Sequence, residues 1–198
     1  MYRSLFEEFR THPLVRLNAL SLFVIVYIDW MLMPLITKLE GTYLPVYMIG
    51  FFMLLSASDG IVQPLFKEVS LRNVFYASAL LDAFQIAVYA LFWLDTELFV
   101  YVILSIFVVQ AVLFEIARIH TIDRFNLSVE LKSFLILRTT VISAATIMGT
   151  LFTMVFDFFG GNPEYLFYIT GVLGVWGVWL QLRLGYRFGK TPPPQPPI

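Results

Sequence analysis

The sequence predicts an all-α polytopic membrane protein, a bundle of six transmembrane helices with both termini in the cytoplasm. Apolar residues make up 59% of its 198 residues, and the mean hydropathy is +0.80. Globular chains are about 45 to 50% apolar, so the excess must face lipid rather than a single soluble core. Six spans of roughly 20 to 25 residues with short loops use the whole length, which leaves no room for an extramembrane domain.

The first 14 residues predict an amphipathic helix that lies in the headgroup plane. Leu5 and Phe9 recur at helical spacing, with Arg3 and Glu7 on the opposite side. A charged terminus without fixed structure is the alternative interpretation.

Residues 15–186 form the predicted transmembrane domain. Its apolar stretches are separated by short loops, so successive spans pair as antiparallel hairpins. The predicted spans are Val15–Ile36, Tyr43–Phe66, Val74–Leu94, Leu98–Ile119, Ser133–Phe156 and Tyr165–Leu184.

The distribution of positive charge predicts the orientation. With the N-terminus in the cytoplasm, twelve of the 13 Lys and Arg residues lie on or near the inner side, and only Lys38 lies outside. Residues 187–198, which end in TPPPQPPI, predict a disordered Pro-rich cytoplasmic tail.

Ionisable side chains within the apolar spans are the first candidates for function. Each costs about 2.5 to 3.5 kcal/mol at a helix centre, so several in one small chain need a reason. Asp29 lies in the outer half of its span, whereas Asp59 and Asp82 lie in the inner third of theirs. Asp29 therefore has no basic residue at matching depth, and a proton or cation coupling site requires an acid that is unpaired in this way. An inert acid that faces a wet vestibule is the alternative. The candidates for coupling or substrate contact are Asp29, Asp59, Asp82 and Gln85.

A second group of charges lies near the predicted cytoplasmic ends of the spans. Glu115 and Arg118 are three residues apart and can pair on one helical face, while Arg138 could pair with Asp82 or Asp59. Such a network would either hold the helix ends together or act as a gate that breaks and reforms during transport.

Small residues at helical spacing predict close helix packing. They are Ala145 and Gly149 in the fifth span and Gly171, Gly174 and Gly177 in the sixth.

Several classes of function find no support in the sequence. With no cysteine and two distant histidines, the chain offers no thiolate chemistry and no predicted metal or cofactor site. It lacks the GxSxG and HExxH motifs, so we expect no enzyme activity. A net charge of -1 gives no reason to expect nucleic acid as a partner.

The layout resembles one six-helix half of a major facilitator superfamily transporter. The similarity lies in the amphipathic start, Asn18 early in the first span, and the basic loop Lys67–Val74, where that family has an Asp-Arg-x-Gly-Arg-Arg motif and this chain retains Arg72. The stretch from Glu115 to Arg138 and then Ser143–Gly149 is similar to the family's fourth helix, inner loop and fifth helix.

This resemblance implies a half-size transporter, because a six-helix half of that family normally works with a second half. Two parallel copies would recreate the missing symmetry, so we expect an ion- or proton-coupled homodimer that moves an unknown small solute. The alternatives are a substrate-binding or anchoring subunit that works with another membrane protein, and a non-transporting assembly or regulatory protein. In each case the chain lies in a lipid bilayer, and the plasma (inner) membrane is the one we expect.

Overall fold

The computed structural model describes residues 13–40, 69–125 and 131–190, and every regular element within those ranges is a helix. The all-α class is therefore confirmed. The helices are α1 (Pro13–Glu40), α2 (Leu71–Val88), α3 (Leu91–Leu94), α4 (Thr96–Phe125), α5 (Leu131–Phe158) and α6 (Pro163–Lys190).

Within the described ranges, three helices are long and apolar enough to cross a membrane. The apolar segments are Val15–Met33 in α1, Leu137–Phe158 in α5 and Glu164–Phe188 in α6, and α4 adds a shorter one, Thr96–Gln110. The predicted N-terminal helix up to residue 12, the second span with Asp59, and the tail from residue 191 lie outside the described residues.

Capping side chains define where α2 and α4 begin. Ser70 Oγ accepts a hydrogen bond of 3.3 Å from the backbone N–H of Asn73 at the start of α2. Asp95 Oδ1 accepts one of 3.0 Å from the N–H of Leu98 at the start of α4. Each bond satisfies an N–H group that has no partner within its helix.

The connection between α5 and α6 is a tight turn. Gly160 has a φ of 70°, the left-handed conformation that ends many helices and that glycine adopts without steric penalty. Asn162 Oδ1 then accepts a 3.0 Å bond from the N–H of Glu164, and Pro163 takes the first position of α6. These two helices follow each other directly in sequence, but the predicted pairing of successive spans is wrong for them: α5 packs against α1, and α6 packs against α2 and α1.

The third predicted span differs from the observed structure. It was expected to run unbroken from Val74 to Leu94, but α2 ends at Val88 and the short α3 begins at Leu91. At the break the N–H groups of Tyr89 and Ala90 bond three residues back, at 3.2 Å each. The helix tightens there as a 3₁₀ turn does.

Three helices extend past their predicted ends. α1 continues to Glu40 beyond the predicted end at Ile36, and α4 continues to Phe125 beyond the predicted end at Ile119. α6 continues to Lys190, so residues 187–190 are helical rather than part of the tail.

The helices pack around α1 and α2. α1 contacts α4, α5 and α6, while α2 contacts α4 and α6. The main core lies between α1, α2, α4 and α6, with Leu32, Ile36, Phe99 and Ile103 fully buried.

Aromatic rings fill one end of this core. Phe92 and Phe167 have ring centroids 4.6 Å apart, and Phe99 and Tyr89 each lie 5.6 Å from Phe167. We call these four residues the aromatic cluster. At the opposite end, Phe75 stacks on Phe188 at 5.4 Å, which fixes α2 and α6 in antiparallel order.

α5 is attached to α1 by a close backbone approach. A Cβ atom on Gly149 would lie 2.7 Å from the carbonyl oxygen of Tyr27, and Ala145 is fully buried. Thr153 Oγ1 donates a 2.7 Å hydrogen bond to the carbonyl oxygen of Met31. Both features need helix backbones that lie unusually close.

The glycines of α6 differ from one another. A Cβ on Gly174 would lie 3.0 Å from the Ile86 side chain, and one on Gly177 would lie 3.5 Å from Val24. Gly171 has nothing within 4 Å of that position and faces open space. Gly174 and Gly177 therefore lie where α6 passes close to α2 and α1, whereas Gly171 lies away from these contacts.

We predict that Gly149→Ala lowers stability, because the added methyl group would overlap backbone atoms of α1 that cannot move alone. The expected loss is about 1 to 3 kcal/mol, measured by thermal unfolding of the purified protein in detergent. Gly171→Ala is the matched control, a helical glycine with open space around it, and should be neutral or slightly stabilising. Equal melting temperatures for the two variants would contradict the close approach.

Candidate functional site

Two acidic side chains from different helices share one buried cavity. Asp29 of α1 and Asp82 of α2 both line a cavity of about 10 Å³, with Gln85 and Tyr89 of α2 and Gln110 of α4. Gly174 and Gly177 of α6 complete the wall at the positions where that helix passes close by. The volume is about that of one water molecule.

The polar residues of α2 reach this cavity because of their spacing. Ser78, Asp82, Gln85 and Tyr89 are four, three and four residues apart, so they lie on one helical face, and all four are buried. The same face packs against α4 and α6. A polar stripe therefore runs along the inner side of α2 instead of facing solvent.

Amide side chains hold the acid of α2. Gln110 Nε2 donates a 2.7 Å hydrogen bond to Asp82 Oδ1 and another of 2.7 Å to Gln85 Oε1. Gln85 Nε2 in turn donates to the Tyr89 hydroxyl at 3.2 Å. This network links the carboxyl pair to the aromatic cluster.

Four buried oxygen atoms at the site have no hydrogen-bond partner within the described part of the chain. They are Asp29 Oδ1, Asp82 Oδ2, Gln110 Oε1 and Gln181 Oε1. Asp82, Gln110 and Gln181 are at most 6% exposed. Buried polar atoms are nearly always satisfied in proteins, so a group of four requires an explanation.

The cavity wall carries no positive charge among the residues that the structure describes. Its lining includes Asp29 and Asp82 but no Lys, Arg or His. Two carboxylates without a counter-ion are very unfavourable in an apolar interior. The pair therefore needs a proton or a cation for charge compensation.

A second cavity lies towards the N-terminal end of α1. It has a volume of about 40 Å³, and its polar lining residues are Asn18, Ser21, Ser78, Arg138 and Gln181. Gln181 also lies beside Asp82, so it stands between this cavity and the carboxyl pair.

The predicted charge network is located only in part. Arg138 lines the second cavity, and Asp82 receives a hydrogen bond from Gln110; the pairing of Arg138 stays a prediction. Glu115 and Arg118 lie one turn apart on α4. Asp59 is outside the described residues, so its pairing stays a prediction.

Three of the four candidate residues for coupling come together at one site. Asp29, Asp82 and Gln85 line the same cavity, although the sequence suggested different depths for the two acids. Sequence reasoning missed the roles of Gln110, Tyr89 and Gln181. The α2 residues could have been found from the polar stripe at helical spacing, but Gln181 carries no such signal.

The described residues contain no group of three or more His, Cys, Asp or Glu side chains that could hold a metal ion. Comparison with family models, with curated proteins and with solved structures finds no match to this chain. The function must therefore be argued from the site itself.

We predict that Gln110→Leu destabilises the protein by about 1 to 3 kcal/mol, because it removes the hydrogen-bond donor from a buried carboxyl group. Adding Asp82→Leu should recover part of that loss, since it removes the carboxyl group that lost its donor, while Gln85 Oε1 still lacks the bond from Gln110. Thermal unfolding in detergent of both single variants and the double variant measures the coupling. Strictly additive losses would show that the bond contributes nothing.

Proposed function

We propose that the chain is a half-size, ion-coupled membrane transporter in which Asp29 and Asp82 form the coupling site. The observation that carries this proposal is the pair of carboxyl groups in one buried cavity whose described lining holds no cation. Acids buried within transmembrane bundles are expensive and commonly mark ion or proton pathways. Here the two acids belong to different helices, so binding of an ion between them couples the positions of α1 and α2.

Membrane insertion is supported by the outer surface of the bundle. Large apolar side chains on α5 are at least 53% exposed, which suits lipid and not water; these are Ile147, Met148, Leu151, Met154 and Val155. We place the chain in the plasma (inner) membrane.

The ends of the helices support an orientation with both termini in the cytoplasm. Exposed Arg16, Arg72 and Arg183 lie near the N-terminal ends of α1 and α2 and the C-terminal end of α6, while exposed Asp95 and Glu97 lie at the other end. A basic cytoplasmic side is the usual arrangement.

The small size of the two described cavities supports an ion as the occupant of the site. The two described above measure about 10 Å³ and 40 Å³, whereas sites for organic ligands are typically about 300 to 1,000 Å³. The site therefore suits an ion, and the solute would pass between two parallel copies of the chain.

A membrane subunit that works with a different protein is the second candidate. It is favoured by the position of α5, which packs against α1 and leaves a broad apolar face exposed. That face could contact the helix of a partner as well as lipid.

We predict that Asp29→Asn and Asp82→Asn each abolish ion-coupled solute flux, because the amide carries no charge for the ion to compensate. The wild-type chain is reconstituted in vesicles, a proton or sodium gradient is imposed, and ion movement is recorded on addition of pooled amino acids, sugars and carboxylic acids. Glu97→Gln is the control, an exposed acid outside the cavity, and should leave flux unchanged. Normal flux in both Asp variants would remove the coupling role from the pair.

We predict that gentle extraction from the native membrane releases a homodimer, as intact-complex mass spectrometry would show. Two parallel copies supply the second half of a transport path, which one six-helix unit lacks. A stoichiometric foreign protein would instead support the partner subunit. A monomer without a companion would contradict both forms of the proposal.

A further inference from the structure

We propose that the cavity between Asp29 and Asp82 binds one small monovalent metal cation, with sodium ion as its simplest representative. The ligands are oxygen atoms of Asp29, Asp82 and Gln110, which line the cavity and have no other partner among the described residues. This inference rests on the proposed function of the carboxyl pair as a coupling site, and it names the coupling ion.

The chemistry of the unpartnered atoms points to a cation. All four are oxygen atoms, and so acceptors: two from carboxyl groups and two from amides. A bound anion or a further acceptor would leave every one of them unsatisfied. Hard cations prefer oxygen ligands of this kind.

The hydrogen bonds of Gln110 fix which way its amide points. Its Nε2 atom donates to two acceptors, Asp82 Oδ1 and Gln85 Oε1, at 2.7 Å each. Turning the amide over would set its oxygen against both of those oxygens. The acceptor Oε1 is therefore the atom left for another partner.

A metal cation explains the amide oxygen of Gln110 better than a proton does. A proton on one carboxyl group satisfies that group but leaves this oxygen without a partner, although Gln110 is only 2% exposed. Asp29, Asp82 and Gln110 all line the cavity, so a cation bound there contacts both the carboxyl groups and the amide.

Size and ligand number favour a monovalent ion. The cavity of about 10 Å³ has room for one species the size of a water molecule. Calcium takes six to eight oxygen ligands, and magnesium keeps several bound waters. Three unpartnered oxygens in so small a space match neither requirement. One monovalent ion balances one carboxylate, so the other carboxyl group carries a proton while the ion is bound.

Gln181 also indicates how the ion reaches the site. It lines the second cavity and lies beside Asp82, so the two cavities meet at this side chain. Beyond the site, Tyr89 and Phe167 of the aromatic cluster close the opposite end. The ion therefore enters from the side of the second cavity and passes Gln181.

The test is binding of radiolabelled sodium ion to the detergent-purified full chain. We expect saturable binding of one ion per chain, displaced by sodium chloride but not by N-methylglucamine chloride at the same ionic strength. Both Gln110→Met and Gln181→Met keep side-chain length. The first removes a ligand oxygen, and the second removes the amide that hydrogen-bonds Asp82, so each should weaken binding by about tenfold or more. Glu97→Gln is the control and should bind as the wild-type chain does.

A second readout covers variants that fold poorly. Sodium should raise the melting temperature of the wild-type chain by about 3 to 6 °C at tenfold its Kd, and calcium and magnesium should not reproduce the rise. Absence of saturable sodium binding by the wild-type chain overturns the inference, as does unchanged affinity in both Met variants. Sodium binding without solute flux would preserve the inference and reject the transporter, whereas proton-driven flux without sodium binding would do the reverse.

Discussion

The constraint on which this structure depends is the burial of two carboxyl groups where four helices meet. An apolar bundle would be more stable with leucine at both positions, since a buried acid without a counter-ion is strongly unfavourable. The surrounding residues are arranged for these acids: Gln110 reaches across from α4 to Asp82, and Gly174 and Gly177 bring α6 close enough to close the cavity. The chain keeps polar side chains at positions where apolar ones would make the core more stable.

Neutral amides hold the acids in place without cancelling their charge. An arginine partner would form an ion pair of fixed geometry and leave little for an exchangeable ion to do. An amide donates a hydrogen bond to one carboxyl oxygen and leaves the charge of the other available. Arg138 lies at the second cavity, and the bond to Asp82 comes from Gln110. This separation suits a site that binds and releases an ion.

The sequence predicted the class of fold well and the site only partly. Apolar stretches located α1, α5 and α6, because a helix in lipid must be apolar over its whole length. The break at Tyr89 and Ala90 could not be predicted, since neither Gly nor Pro marks it. The positions of Asp29 and Asp82 along their own helices predicted different depths in the membrane. The two acids meet because helix tilt and offset are set by packing between helices, which those positions do not reveal.

The backbone contact at Gly149 has a mechanical consequence. With the backbone of α1 against Gly149 and Thr153 bonded to the carbonyl oxygen of Met31, α5 and α1 lie close enough to move as one unit. Asp29 lies on α1, whereas Asp82 lies on α2, which packs against α4 and α6. A sliding movement of α1 together with α5 therefore changes the distance between the two carboxyl groups.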